Sequence, residues 1–268
     1  MLLSLTFNML ITHSDELPEM ALPNSALSGV QLTSEKDYSD FTSYEARVPA
    51  KSTVCLRSPD GQSSLHFYYC ISGRGKCQAT ANGGQRDVYP DTVVALSSDV
   101  TYELTVSDEG AMRVFVVYYP DVELAYRSLA VVRSLSEIDG SERDVDWGNG
   151  HSWQYLLQPD GFPLGIHKTR LYPMTSSKLA HQHHIESVYY TSGSVTYKWQ
   201  DTSGAWVNQS SRIDAENGTN YLLNEHDSHI LENHANISDC ICILYPVLSG
   251  KEKQILTVDG YTGFEATN

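Results

Sequence analysis

Hydrophobic residues fall in short runs along this chain, and most of these runs are aromatic or β-branched. Four of them read LHFYYCIS, RVFVVYYP, SVYYTSGSVTYKW and CICILYPV, and residues such as Gly, Asp, Asn and Ser divide the runs. Apolar residues repeating every three or four positions, which would indicate amphipathic helices, are scarce. Short strands at this spacing predict an all-β sandwich or barrel.

The pattern occurs twice. The first copy contains HFYYCISGRGK (66–76), VYPDTVVALSSDVTYEL (88–104) and MRVFVVYYPDVE (112–123). The second contains ESVYYTSGSVT (186–196), AENGTNYLLNEHDSHIL (215–231) and CICILYPVLSGKE (240–252), and Gly73 and Gly193 lie 120 positions apart. This repeat predicts one β-barrel unit used twice in tandem. We expect an N-terminal arm over 1–30, a first barrel over 31–128 and a second over 129–268.

Length and charge narrow the function classes. A chain of 268 residues suits two domains of ordinary size. Its net charge of −15 disfavours binding to nucleic acid and to anionic membrane surfaces. Its five cysteines are an odd number, which favours free thiols in a reducing compartment, so we expect a cytoplasmic protein. The expected partner is a small-molecule substrate.

Candidate metal ligands gather in the second copy, because seven of the ten histidines fall between 167 and 234. HQHHIE (181–186) is followed by six residues and Gly193, and Tyr221, His226 and His229 follow Gly218. Each segment alone could be a polar strand end or a solvated turn. Together, in a repeated barrel, they resemble the two metal-binding motifs of cupin domains, which direct His and Glu into the barrel mouth. Such donors suit Fe(II), with Zn, Mn and Ni as alternatives.

The choice of histidine ligand stays open at this point. Strand alternation puts His184 on the same face as Glu186. A β-bulge would instead bring His181 or His183 inward.

The first copy departs from this ligand pattern. In place of Glu186, Tyr221 and His229 it has His66, Val94 and Tyr102. We therefore expect a degenerate first barrel that binds no metal and packs against the second barrel as one subunit of a dimer packs on another. A homodimer of the whole chain is also compatible with the sequence.

The second half resembles a known family. VVRSLSEIDGSERDVDWGNG (131–150) is similar to the opening of ectoine synthase, and HHIESVYYTSGSVT, NGTNYLLNEHDSHIL and ILYPVLSGKE are similar to its later segments, in order. The resemblance implies a cupin, normally a single-barrel homodimer, that uses bound iron. That enzyme closes an acetylated diaminobutyrate to a cyclic amidine with loss of water.

The resemblance also implies roles for individual residues. The metal ligands of the family match Glu186, Tyr221 and His229, with His183 as a further candidate ligand. Glu252, His181 and Tyr221 are candidates for catalysis. Substrate contacts are expected from six residues: Trp153, His167, Thr169, His184, Cys242 and Leu244.

Some pocket positions depart from the family. Its Trp-x3-Arg becomes HSWQYLL, so a bidentate partner for a carboxylate is missing, and His167 and His181 replace other pocket residues. These changes predict a related enzyme with a changed substrate: a metal-dependent lyase that cyclises or dehydrates a small metabolite. The alternatives are an iron-dependent cupin oxygenase and a non-catalytic small-molecule-binding bicupin.

Overall fold

The computed structural model describes residues 9–22, 27–37, 40–56, 64–80, 84–97, 99–120, 128–181, 184–223, 228–251, 253–256 and 262–265. The chain forms two compact units. The N-terminal barrel comprises residues 16–141, and the C-terminal barrel comprises residues 1–15 together with 142–268. Regular structure in the described residues consists of β-strands and short 3-10 turns, as the sequence pattern predicts.

The N-terminal barrel contains two sheets. Its strands are β2 (Met20–Ala21), β3 (Ser28–Thr33), β4 (Thr42–Val48), β5 (Thr53–Leu56), β6 (Ser64–Ser72), β7 (Gly75–Ala79), β8 (Gln85–Val88), β9 (Thr92–Ser97), β10 (Tyr102–Val106), β11 (Met112–Pro120) and β12 (Ala130–Ser134). The larger sheet has the order β12-β9-β6-β11-β4-β3-β2, and the smaller has the order β5-β10-β7-β8. The 3-10 turns Glu35–Asp37 and Leu135–Glu137 lie in the same unit.

The C-terminal barrel repeats this topology. Its strands are β1 (Leu10–His13), β13 (Asp144–Asp146), β14 (Gly150–Leu156), β15 (Gly165–Leu171), β16 (Ser176–Leu179), β17 (Ile185–Ser192), β18 (Val195–Gln200), β19 (Trp206–Ser210), β20 (Thr219–Leu223), β21 (His229–Asn233), β22 (Ser238–Tyr245), β23 (Lys253–Leu256) and β24 (Thr262–Glu265). The sheets have the orders β1-β20-β17-β22-β15-β14-β13 and β19-β18-β21-β16-β24-β23. The 3-10 turns are Ser14–Glu16, at the boundary between the two units, and Gln158–Asp160.

The repeated glycines close equivalent hairpins. Gly193 has φ +94°, and a side chain there would collide with Ser238, since a Cβ would lie 1.9 Å from Oγ. Gly73 has φ +92°, and a Cβ would lie 2.7 Å from the Cα of Met112. Only glycine combines this left-handed conformation with such a close approach, so both copies of the repeat need it.

The edge strands differ from the predicted division of the chain. β1 pairs antiparallel with β20 in the C-terminal barrel, with Ile11 opposite Tyr221. β12 pairs antiparallel with β9 in the N-terminal barrel, with Val132 opposite Val94. The units of the structure thus differ at their ends from the expected ranges 1–30, 31–128 and 129–268. β1 joins the C-terminal barrel, and β12 joins the N-terminal barrel.

Apolar side chains fill the space between the two sheets of each barrel. In the N-terminal barrel this core includes Tyr68, Val94, Leu104 and Val116. The C-terminal core includes tyrosines and leucines around a cavity, described below. No helix in the described part of the chain has the length and apolar character needed to cross a membrane.

Removal of residues 1–15 is expected to destabilise the C-terminal barrel. Met9 is buried in its core, and Ser14 exchanges hydrogen bonds with Gly218, which precedes β20. Loss of these contacts is expected to lower the melting temperature by roughly 5 °C or more. Differential scanning calorimetry of both truncations would test this, with removal of 1–8 as the control because it keeps β1 intact. Equal melting temperatures for the two truncations would contradict the assigned role of β1.

Candidate metal centre

A cavity of about 200 Å³ lies inside the C-terminal barrel. Strands of both sheets contribute its walls, which are mostly apolar, with polar groups concentrated on β14, β15, β17 and β22 and near the start of β17. The lining residues are Val145, Trp147, Ser152, Gln154, His167, Thr169, Leu171, Leu179, His181, His184, Glu186, Val188, Tyr190, Tyr197, His229, Leu231, Cys240, Cys242, Leu244, Leu248, Gly250 and Thr262. A cavity of this volume has room for a small molecule.

Three donor side chains converge at one end of this cavity. His181, His184 and Glu186 each offer a ligand atom, and these atoms lie within 4.8 Å of one another. Nε2 of His181 is 2.7 Å from a carboxylate oxygen of Glu186. The ring centroids of His181 and His184 are 4.6 Å apart. His184 and Glu186 lie two residues apart, as strand alternation requires for side chains on one face.

His229 lies beside this cluster. Its ring centroid is 5.8 Å from that of His181, and it stacks on Tyr197 at 5.1 Å. It is fully buried at the first position of β21, opposite Leu179. The two histidine-bearing segments of the sequence therefore meet across the two sheets of one barrel.

The charge of Glu186 responds to these neighbours. Burial, the largest single influence, would raise its pKa. Three influences lower it: the charge of His181, the hydrogen bond between His181 and Glu186, and the charges of His184 and His229. Together they outweigh burial and lower the pKa of Glu186 to about 2. The carboxylate is therefore ionised, as a metal ligand must be.

The donor set fits a transition-metal ion. Ligand bonds of about 2.0–2.2 Å place two ligands of one ion at most ~4.4 Å apart, so the observed spacing needs only small side-chain movements. Nδ1 of His181 is buried and makes no hydrogen bond to a described residue, so this nitrogen has no competing partner among them. Two imidazoles and a carboxylate are typical ligands of divalent iron and its neighbours.

Tyr221, which the resemblance implies as a ligand, is hydrogen-bonded to the backbone of another strand. Its hydroxyl donates a hydrogen bond to the backbone oxygen of Gln209 at 3.3 Å, and its ring stacks on Tyr197 at 4.0 Å. Burial raises the pKa of Tyr221 above its usual range. In the structure this hydroxyl is thus engaged by Gln209, and a role of Tyr221 as a metal ligand stays a prediction.

The predicted substrate contacts divide into two groups. His167, Thr169, His184, Cys242 and Leu244 line the cavity. Trp153 lies elsewhere: its ring stacks on His151, and Lys168 and Arg170 lie over it. Alternation along β14 turns its neighbours Ser152 and Gln154 to the cavity instead, and a contact of Trp153 with substrate stays a prediction.

Two further predicted residues, His183 and Glu252, lie outside the described residues. The sequence prediction overlooked Trp147, Tyr190 and Tyr197, which also line the cavity. Alternation offered a signal for one of them, because Tyr190 lies four residues after Glu186 on the same strand and hence on the same face.

The N-terminal barrel has a different interior. His66, at the position equivalent to Glu186, is buried between Ser64 and the rings of Tyr68 and Tyr118. Burial lowers the pKa of His66 to about 3, so its imidazole is neutral near pH 7. In the part of this barrel that the structure describes, no three His, Cys, Asp or Glu side chains converge as they do around Glu186.

Comparison with solved structures shows the fold. Ylba from E. coli superposes with a TM-score of 0.65 at 14% identity, over 89% of this chain and 90% of that one. The formate complex of Lactobacillus farciminis oxalate decarboxylase gives 0.65 at 8% identity, over 90% and 87%. Bacillus subtilis oxalate decarboxylase, studied for its Mn(II) centres, gives 0.63 at 11% identity, over 90% and 77%. The predicted all-β fold of two tandem cupin barrels is confirmed.

Comparison of sequences assigns the C-terminal half. The family model for ectoine synthase matches residues 130–260. The L-ectoine synthase of Desulfosudis oleivorans is 33% identical over 122 residues, which span 46% of this chain and 89% of that enzyme. The L-ectoine synthase of Nocardia farcinica is 30% identical over 122 residues, 46% of this chain and 87% of that enzyme. Through its C-terminal half, the chain belongs to the ectoine synthase family.

Proposed function

We propose that this protein is a metal-dependent lyase that closes a ring in a small metabolite with loss of water. The observation that carries this proposal is the cluster of His181, His184 and Glu186, which opens into a cavity of about 200 Å³ in a barrel of the ectoine synthase family. A metal centre in the wall of a mostly apolar cavity suits chemistry that must limit access of bulk water.

The metal is proposed to be iron, held by His181, His184 and Glu186 with His229 alongside. In this assignment histidines take the place of the phenol that the resemblance implies, because Tyr221 donates its hydroxyl to Gln209. When bound there, the ion supplies Lewis-acid polarisation of a carbonyl group.

Other groups of the chain orient the substrate. Nε1 of Trp147 donates to Oγ of Ser152, which lies 2.9 Å from Oγ1 of Thr169. His167 lies beside Cys242 in the sheet and lines the same wall, so its imidazole is positioned to transfer a proton during ring closure. The leucines and valines of the cavity displace water from the reacting groups.

Ring closure can be tested directly with acetylated diaminobutyrate, with the cyclic amidine detected by NMR. We expect turnover roughly 10- to 100-fold below that of the Nocardia farcinica enzyme, since a charge-assisted carboxylate partner is missing. A rate equal to that of the reference enzyme would contradict the changed substrate. The lyase proposal fails if iron-loaded protein cyclises neither this acid nor its carboxamide.

Replacing Glu252 with glutamine is expected to lower turnover by ~100-fold while metal content stays unchanged. This residue matches a late pocket glutamate of the family, and its proposed role is to orient the substrate or transfer a proton; loss of a positioned acid-base group has an effect of this size. Steady-state kinetics and elemental analysis on one preparation would measure both quantities, with Glu232→Gln as the control because Glu232 pairs with Lys198 away from the cavity. Unchanged kcat for Glu252→Gln would exclude the proposed role.

One observation favours a second function. His181, His184 and Glu186 form a two-histidine, one-carboxylate set, which many non-haem iron oxygenases use. An oxygen electrode distinguishes the two functions, because a lyase consumes no O₂ during turnover. Substrate-dependent O₂ consumption in a one-to-one ratio with product would favour the oxygenase.

A further inference from the structure

The part of the cavity around Cys240, here called the inner end, carries hydroxyl groups on both sides of this residue. Tyr190 of β17 and Thr169 of β15 each lie opposite Cys240 of β22 in the strand register. Neighbouring strands are about 4.8 Å apart, so Tyr190 and Thr169 flank Cys240 within ~10 Å of each other. Both side chains line the cavity.

On one side, two buried phenols form a pair. The hydroxyls of Tyr190 and Tyr197 are 3.1 Å apart, and both side chains are only 1% exposed. Each hydroxyl carries one hydrogen, and their mutual bond uses one of the two. The other O–H has no further acceptor among the described residues, although both rings line the cavity.

On the other side, Ser152 and Thr169 form a second hydroxyl pair. Their oxygens are 2.9 Å apart, Trp147 donates to Ser152, and Cys242 donates to Thr169 at 3.5 Å. Trp147 and Cys242 donate to lone pairs of these oxygens, and the bond between Ser152 and Thr169 uses one of their two hydroxyl hydrogens. The other hydrogen is available to a bound molecule. The inner end thus offers two neutral O–H donors.

The arginine and lysine side chains described in this barrel are placed elsewhere, and no described one lines the cavity. Arg143 pairs with Asp160, Arg170 with Asp239 and Lys198 with Glu232. Lys168 lies over the ring of Trp153, outside the cavity. The remaining ones, Lys178, Arg212 and Lys251, are exposed.

We propose, on the basis of the lyase function above, that this inner end is a subsite for an uncharged acceptor, such as the carbonyl of an amide. Two neutral donors satisfy the lone pairs of a carbonyl oxygen. A carboxylate buried there would keep its full charge with no described arginine or lysine beside it, which is costly in a low-dielectric site. The substrate class is therefore an N-acylated diamine that carries a carboxamide or similar neutral group in place of a carboxylate.

Two ligands test this subsite: acetylated diaminobutyrate and its primary carboxamide. With iron-loaded, full-length protein, we expect the carboxamide to bind at least ~10-fold more tightly in calorimetry and to give the higher kcat/KM. Equal or tighter binding of the carboxylate would overturn the subsite while leaving the lyase function intact. Binding of neither ligand would also overturn it.

A double variant, Tyr190→Phe with Tyr197→Phe, tests the donor. It keeps both rings and removes both hydroxyls, so carboxamide affinity should fall ~3- to 10-fold while carboxylate affinity changes less. The control is Tyr68→Phe, a buried tyrosine of the N-terminal barrel, which should leave both affinities unchanged. Carboxamide binding that depends on the tyrosines, without ring closure, would support the subsite and refute the lyase function. An unchanged carboxamide affinity in the double variant would refute the subsite.

Discussion

Replacing Glu186 with alanine is expected to empty the metal centre and to lower turnover by at least ~100-fold. Glu186 supplies the carboxylate of the cluster, and its ionised oxygen lies 2.7 Å from Nε2 of His181. Loss of groups that merely orient metal ligands already costs 10- to 100-fold in affinity or activity, so loss of a ligand should cost more. Elemental analysis of chelator-free preparations should show about one metal per chain for the unmodified protein and less than a tenth of that for Glu186→Ala.

The matched control is His66→Ala in the N-terminal barrel. His66 occupies the equivalent strand position, but its neighbours are Ser64, Tyr68 and Tyr118. We expect unchanged metal content and turnover for this variant. Two metals per chain in the unmodified protein, or a metal-free His66→Ala, would show that the N-terminal barrel binds metal.

The tandem fold could be predicted from the sequence, but the exchange of edge strands could not. Gly73 and Gly193 recur at a fixed spacing because both hairpins need a left-handed glycine in a crowded position. The local sequence of an edge strand carries no comparable signal for the strand with which it pairs. The apolar pattern of Ala130–Ser134 is compatible with pairing to β9 or to the equivalent strand β20, and only the folded chain shows which one it joins.

The site was only partly predictable for a similar reason. Strand alternation placed His184 with Glu186, and the structure has both at the cavity. Alternation also explains why Trp153 faces away while Ser152 and Gln154 face in. The position of the Tyr221 hydroxyl depends on Tyr197 and Gln209, which lie on other strands, so no spacing rule within β20 could give it.

Replacing His184 with alanine should remove most of the metal, whereas replacing Tyr221 with phenylalanine should leave metal content within about 20% of normal, since only the former deletes a proposed ligand bond. His184 is 2% exposed and its ring lies 4.6 Å from that of His181, so the alanine variant leaves a gap directly in the donor set. The phenylalanine variant keeps the ring that stacks on Tyr197 and removes one hydrogen bond to Gln209. Its effect on the free energy of unfolding should therefore be about 1 kcal/mol.

Both variants should be assayed for metal content, melting temperature and turnover on the same preparations. The melting temperature shows whether a variant is still folded, which separates loss of a ligand from loss of the fold. If His184→Ala is folded and lacks only a ligand, added metal should restore little occupancy. The opposite result would be loss of metal in Tyr221→Phe and retention of metal in His184→Ala. It would favour the ligand set that the resemblance implies, Glu186, Tyr221 and His229. The phenol of Tyr221 would then have to leave Gln209 when metal binds. Since Glu186 belongs to both sets, its replacement cannot make this distinction, and the His184 and Tyr221 variants decide which side chains complete the centre.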